Sequence, residues 1–206
     1  MKVLKNIVIQ KYIEDPLLID NKKFDIRVLM VIACCKPYFV YAHPGYVRKS
    51  LNDYSTESFA KTETSADGKT SDWQSRYTHL TNLSIQKKHP EYEARKEESA
   101  MSMDQLCAYL VEKGQTTPEQ FKAKVTDRIF DIMRLIFETV KGKLDKKFGC
   151  FEMFGFDFML DSQLEPKLLE INVNPALFLD TKVQEEILPK LVQDTVTIAH
   201  EIHQPY

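Results

Sequence analysis

The stretch Lys22-Lys23-Phe24-Asp25-Ile26-Arg27-Val28-Leu29 alternates polar and apolar residues. In an extended strand, successive side chains point to opposite faces. The alternation predicts a strand whose apolar residues face the core and whose polar residues, Lys23, Asp25 and Arg27, share the other face. Cations at this spacing can bind polyphosphate or a carboxylate, and Asp25 can hold Arg27 or Lys23 in position. A solvated strand face is the alternative interpretation.

A second alternating stretch, residues 167–173, predicts a strand with Glu170 and Asn172 on one face and Leu169, Ile171 and Val173 on the other. A carboxylate and an amide oxygen side by side form a hard-oxygen site suited to Mg²⁺. A solvent-facing polar edge is the alternative.

Asp157 is a single carboxylate among aromatic and apolar residues in the predicted strand 151–160. A lone buried charge is costly unless it is paired or binds a metal, although an aspartate that caps nearby backbone would also fit. A hairpin with strand 167–173 would bring Asp157 close to Glu170 and Asn172. Three oxygen donors opposite a Lys/Arg face would suit Mg²⁺ that bridges ATP phosphates.

The rest of the chain predicts an α+β or mixed α/β arrangement. Strands are expected at 3–13, 24–34, 38–42 and 46–49, followed by a long mobile loop at 55–76 with Trp73 as its anchor. Capping boxes at 102–105 and 117–120 open helices, and Pro189 falls near the first turn of a helix at 183–203. The helix from 117 has one apolar stripe: Phe121, Val125, Ile129, Ile132, Met133, Ile136 and Val140.

Composition narrows the class of protein. The chain has 206 residues and a formal net charge of -2, which favours neither a nucleic-acid binder nor a membrane-surface binder. No apolar run approaches the ~20 residues of a membrane span. The four cysteines lack zinc-ligand spacing, so reduced thiols in a cytoplasmic compartment are expected. Neither a Rossmann nor a Walker phosphate loop occurs.

Six blocks, taken in order, resemble the tubulin tyrosine ligase-like family, whose catalytic domain has the ATP-grasp fold. They cover most of the chain, and general similarity places it nearest the polyglycylase branch. The blocks are residues 10–18, Lys23-Phe24-Asp25-Ile26-Arg27, Gly45-Tyr46-Val47-Arg48, His79-Leu80-Thr81-Asn82, Gly155-Phe156-Asp157-Phe158, and Glu170-Ile171-Asn172 with Asn174-Pro175-Ala176.

The resemblance implies roles for individual residues. It implies that the backbone of Gln10, Lys11, Tyr12 and Ile13 holds adenine. It further implies phosphate, ribose, acceptor-carboxylate or amino-acid contacts from Lys23, Asp25, Arg27, Arg48, Thr81 and Asn82, and Mg²⁺ ligation by Asp157, Glu170 and Asn172.

The implied chemistry is ATP-dependent amide formation through an acyl phosphate, with tubulin or another acidic protein tail as acceptor and free glycine as donor. A glutamate ligase and a truncated, non-catalytic ATP- or microtubule-binding protein stay open as alternatives. Glutamate would need an extra cation for its side chain, whereas glycine needs a tight site.

The resemblance also implies where the chain departs from the family. Residues 1–206 are expected to form a partial ATP-grasp domain, because the chain opens at the adenine segment without the first part of the grasp. The resulting expectation is a fragment whose activity alone is doubtful. Cytoskeleton and cilium are implied only through the family, and Lys87-Lys88-His89 could meet an acidic tubulin tail electrostatically.

Overall fold

A computed structural model describes residues 9–56 and 73–204, and a six-stranded antiparallel sheet is its centre. The sheet has the order β4-β3-β2-β5-β6, with the short β1 paired to β2. Every pairing between these strands is antiparallel. The strands are β1 (Leu18–Ile19), β2 (Lys22–Cys35), β3 (Tyr38–Asp53), β4 (Ala100–Ser102), β5 (Glu152–Leu160) and β6 (Pro166–Asn172).

The third strand differs from its prediction. The expected strands 38–42 and 46–49 form one strand, β3, with an irregular register opposite Arg27 to Leu29. Gly45 lies in this irregularity with a φ of +75°, and a Cβ there would lie 1.7 Å from the carbonyl oxygen of Arg27. Only glycine permits so close an approach of the two backbones, so the strand continues through a position that the sequence marks as a turn.

Seven helices of the described residues pack on the sheet or around its ends. Residues 122–126 between α5 and α6 have π-helical geometry, so 118–140 run as one continuous helical segment, as predicted. The helices are α1 (Trp73–His79), α2 (Leu83–Gln86), α3 (Tyr92–Arg95), α4 (Met103–Glu112), α5 (Pro118–Phe121), α6 (Asp127–Val140) and α7 (Lys182–Ile202).

The main core lies between one face of the sheet and helices α4 to α6. Phe24, Ile26 and Val28 are fully buried there, as the alternation predicted. The helix stripe is confirmed at its buried positions, which include Phe121, Val125, Ile129 and Met133. The stripe prediction was wrong at its end: Val140 is 37% exposed and Phe137 packs in the core instead.

Helix α7 covers the opposite face of the sheet. Leu188 and Leu191 pack against Leu29 of β2 and Tyr46 of β3. Thr181 caps this helix in a reciprocal capping box with Gln184, a signal visible in the sequence but missed. The position predicted for Pro189 was wrong, because the proline lies inside the helix, two turns after its start, rather than near the first turn.

Two predicted segments need correction. The strand expected at 3–13 is wrong over residues 9–13, which have no regular secondary structure; there the hydroxyl of Tyr12 hydrogen-bonds Lys23 and His79. Residues 3–8 lie outside the described part. The predicted loop 55–76 already becomes helix α1 at Trp73, whose ring stacks on Tyr77; residues 57–72 lie outside the described part. No described helix is long and apolar enough to cross a membrane.

Candidate active site

The polar face of β2 is buried, and its charges pair with the neighbouring strands. Lys23, Asp25 and Arg27 are each no more than 8% exposed, so the solvated-face alternative is wrong. The register places Asp25 opposite Arg48 of β3 and Arg27 opposite Asp157 of β5. Two arginines and two aspartates therefore meet on three adjacent strands.

These four residues, here called the charge network, are joined by short ion pairs. Arg27 donates to both carboxylate oxygens of Asp157 through Nε and, at 2.9 Å, through Nη2. Arg48 donates to Asp25 through Nε at 2.8 Å and Nη2 at 2.5 Å. The Nη2 atom of Arg48 also lies 2.9 Å from Asp157. Asp25 thus positions Arg48 and not, as predicted, Arg27 or Lys23, because the strand register places Arg48 directly opposite it.

The charge network shifts the pKa of its members in opposite directions. Burial by itself raises the pKa of Asp157, but hydrogen bonds from Arg27 and the charge of Arg48 lower it below the ordinary aspartate value. Burial by itself lowers the pKa of Arg48, but Asp25 and Asp157 raise it above the ordinary arginine value. These directions keep Asp157 and Arg48 ionised at neutral pH, and the buried charges of opposite sign compensate one another.

Glu170 and Asn172 stand beside the charge network on β6. The register places Glu170 opposite Asp157 and Asn172 opposite Gly155. The Nδ2 atom of Asn172 donates to Glu170 at 3.2 Å and to Asp157 at 3.4 Å. The predicted hairpin therefore brings the three oxygen-bearing side chains together.

The alternation along β6 is broken by one residue. The register shifts between Asp157 and Phe158, which leaves Leu169 as the extra residue of a bulge. Leu169 lines the same cavity as Glu170, so placing it on the face of Ile171 and Val173 was wrong. Ile171 is 41% exposed, and Val173, which lies just beyond the end of β6 at Asn172, is 58% exposed.

The donor set fits a hard divalent cation. Mg²⁺ usually takes one or two carboxylates together with waters and substrate phosphates, and the exposed Glu170 is a carboxylate without an ion pair among the described residues. Asp157 is occupied by two arginines, so it would join such a site only as a shared ligand. Among residues 9–56 and 73–204, no group of three histidine, cysteine or acidic side chains is placed to hold a metal.

Two cavities flank the charge network. The smaller, of about 260 Å³, is lined by Lys23, Asp25, Asp157 and Glu170 together with Gln10, His79, Leu80, Thr81, Asn82 and Leu169. The larger, of about 320 Å³, is lined by Arg27, Arg48 and Asn172 together with Tyr46, Lys87 and Gln184 and further residues of 82–84 and 174–178. Asn82 borders both cavities, which makes it part of the wall between them.

The smaller cavity collects most of the predicted nucleotide contacts. Thr81 donates to Asp25 at 2.7 Å. The ammonium of Lys23 donates to the hydroxyl of Tyr12 at 3.1 Å, and that hydroxyl hydrogen-bonds Nδ1 of His79 at 2.8 Å. Burial lowers the pKa of Lys23, and Asp25 opposes that shift. Lys11, Tyr12 and Ile13 line a different, neighbouring pocket, so only Gln10 of that segment reaches this cavity.

The basic cluster at 87–89 does not act as one surface. Lys87 forms an ion pair with Asp180 at 2.7 Å and lies over the ring of Phe178. Lys88 lies over Trp73. His89 hydrogen-bonds Asn52 at 3.1 Å. Only Lys87 lines the larger cavity.

Tyr46 and Gln184 are site residues that the sequence prediction missed. Both are buried and line the larger cavity. The capping pattern Thr181-x-x-Gln184, close behind Asn174-Pro175, was the available signal.

Residues 1–205 match the sequence model of the Tubulin-tyrosine ligase family. Protein polyglycylase TTLL10 of Rattus norvegicus is 37% identical over 201 residues, which cover 96% of this chain and 27% of that protein. Inactive polyglycylase TTLL10 of Homo sapiens is 36% identical over 199 residues, which cover 94% and 27%. Tubulin monoglutamylase TTLL4 of Mus musculus is 29% identical over 202 residues, which cover 94% and 16%. The chain thus spans about a quarter of the length of the first two relatives.

Proposed function

The chain belongs to the tubulin-tyrosine ligase family. We propose that it carries the active site of an ATP-dependent carboxylate–amine ligase, which adds glycine to tubulin or other acidic protein tails. The observation that carries the proposal is the buried charge network between two cavities, with Glu170 and Asn172 at its edge.

The proposed reaction has two steps. A glutamate side-chain carboxylate, or the terminal carboxylate of a glycine chain, attacks the γ-phosphorus of ATP, so that an acyl phosphate forms and ADP leaves. The amine of free glycine then attacks the acyl carbon, loses a proton and expels phosphate. Positioning and charge neutralisation carry most of such a rate.

The two cavities divide these tasks in the proposal. Lys23, Thr81 and Asn82 hold the phosphates and ribose in the smaller cavity, with Gln10 on the adenine side. Glu170 and Asn172, with Asp157 shared, would hold Mg²⁺, which supplies charge neutralisation at the phosphates when bound. Arg27 and Arg48 bind the acceptor carboxylate and the amino acid in the larger cavity.

The pairing of cations favours glycine over glutamate as the donor. The cations among the described residues that line the larger cavity are Arg27, Arg48 and Lys87. Each already has a carboxylate partner in the fold: Asp157, Asp25 or Asp180. In the proposal, Arg27 and Arg48 also receive the acceptor carboxylate and the α-carboxylate of the amino acid. A glutamate donor would bring a third substrate carboxylate, for which only Lys87 is left among these cations, and Asp180 already neutralises Lys87. Burying that further charge is costly. Glutamate transfer remains the second candidate because a monoglutamylase is among the relatives.

Isotope incorporation tests the donor. The full protein is incubated with tubulin, Mg-ATP and either labelled glycine or labelled glutamate. Glycine incorporation supports the proposal, whereas glutamate incorporation keeps the chemistry and replaces the donor. If neither amino acid is incorporated, the result supports the non-catalytic alternative. One relative, from Homo sapiens, is itself named an inactive polyglycylase. An active enzyme of this kind would work at microtubules in the cytoplasm, including those of cilia.

Glu170→Gln tests the metal assignment. Loss of the carboxylate should remove several kcal/mol of transition-state stabilisation and so lower turnover strongly, because the metal would lose its principal ligand. The matched control is Glu152→Gln, the same change at an exposed position at the start of β5. Near-normal turnover of Glu170→Gln would refute the assignment.

A further inference from the structure

The floor of the larger cavity contains a glutamine whose orientation is fixed. The side-chain oxygen of Gln184 accepts hydrogen bonds from the backbone N–H of Asp180 at 3.1 Å and of Thr181 at 3.2 Å, and from the Thr181 hydroxyl at 3.3 Å. Three donors saturate this oxygen, so the amide cannot flip without losing them. Its NH₂ group therefore faces the hydroxyl of Tyr46, 3.4 Å away.

This orientation sets the polarity of Tyr46. Because its oxygen accepts from Gln184, the proton of its hydroxyl is left for another acceptor. Tyr46 lies opposite Arg27 in the register of β2 and β3, and both residues line the cavity together with Arg48. Two guanidiniums, a hydroxyl and an amide NH₂ thus present donors in one region, which suits a carboxylate.

We propose that Gln184, acting through Tyr46, is a positioning residue that sets the recognition of the α-carboxylate of the incoming amino acid in the larger cavity. This inference rests on the proposed ligase function and adds a residue from α7 to it. The Gln184 side chain serves both helix capping and substrate recognition. Thr181 and the backbone fix its oxygen, and its NH₂ group therefore points at the hydroxyl of Tyr46.

Gln184→Glu separates the two roles of this side chain. Glutamate at this position still completes a capping box, because its carboxylate accepts the same backbone N–H groups. The second oxygen, however, replaces the NH₂ group, so that Tyr46 donates to it and no longer to the substrate. Tyr46→Phe removes the hydroxyl and leaves the cap untouched.

Gln105→Glu is the matched control. Gln105 occupies the corresponding position of the capping box that opens α4, and it is exposed. The same chemical change there should leave kinetics and thermal stability as in the unmodified protein.

The readout is the separation of KM for glycine from KM for Mg-ATP and from kcat in the full protein. Both site variants should raise KM for glycine about tenfold, the effect of losing one hydrogen bond to a charged group. KM for Mg-ATP should stay within about twofold, because the smaller cavity is untouched. An unchanged KM for glycine in both variants overturns the inference. So does an equal impairment of KM for glycine, KM for Mg-ATP and kcat that accompanies a loss of thermal stability.

Direct binding distinguishes this inference from the ligase proposal. Glycine binding is measured by NMR line broadening in the presence of a non-hydrolysable Mg-ATP analogue. If the unmodified protein binds glycine, both variants do not, and no ligation occurs, then the carboxylate site stands and the ligase proposal is rejected. No binding of glycine to the unmodified protein overturns both.

Discussion

At the scale of single residues, the site depends on which partner each buried charge finds. Alternation along β2 predicted that Lys23, Asp25 and Arg27 share a face, and the structure confirms it. It could not predict that Asp25 pairs with Arg48, because pairing depends on the register between strands rather than on spacing within one. The partner of Lys23 was equally hidden, since Tyr12 reaches it from a segment without regular structure.

Tyr12→Phe tests the partner of Lys23. The ring that lies under the ammonium stays, but the acceptor hydroxyl is lost. A buried ammonium without its acceptor reorients, so KM for ATP should rise several-fold, by about 1–2 kcal/mol of binding free energy. Tyr41→Phe, at an exposed position of β3, is the control. Equal ATP kinetics in the two variants would show that the hydroxyl does not orient Lys23.

At the scale of elements, the local patterns predicted what local forces decide. Capping at Ser102 and the buried stripe of the 118–140 segment follow from short-range spacing, and both are confirmed. Irregular strand positions were missed, because the bulge at Leu169 and the close approach at Gly45 arise from the neighbouring strand. Both irregularities lie beside the site, where a strand must re-aim its side chains.

Gly45→Ala tests the element that aligns β2 with β3. A methyl group would collide with the carbonyl of Arg27 in a backbone conformation that alanine rarely adopts. We expect a loss of unfolding free energy of about 3 kcal/mol or more, because the two strands must separate locally. Gly142→Ala is the control, since a Cβ there meets open space. Urea denaturation measures both, and similar midpoints would contradict the expectation.

At the scale of the whole molecule, the α+β class and the hairpin of β5 and β6 are confirmed. The role of α7 was not predictable from its own sequence, because covering the second face of the sheet is a tertiary contact. The charge network links β2, β3 and β5, so its ionisation bears on the stability of the entire sheet.

Acid unfolding should report this link. The lowered pKa of Asp157 means that its stabilising contribution is complete above the ordinary aspartate pKa of 3.8 and is lost as pH falls through the lower folded-state value. Unfolding free energy should therefore fall steeply below about pH 4. Asp157→Asn should reduce the slope of unfolding free energy against pH by the equivalent of up to one bound proton. Asp131→Asn, at the exposed face of α6, should leave that slope unchanged. Equal pH slopes in all three proteins would contradict this assignment.

The ion pair between Arg27 and Asp157 joins positions that are 130 residues apart in the chain. At ribosomal speeds of about 5–20 residues per second, Arg27 waits on the order of ten seconds before its carboxylate partner has even been synthesised. During that interval Arg48 already has Asp25 as its partner, but Arg27 lies without its own carboxylate on the surface that later becomes interior. Synthesis order thus delays closure of the sheet until β5 emerges, and a nascent chain halted before that point exposes an unfinished, positively charged hairpin to chaperones and proteases.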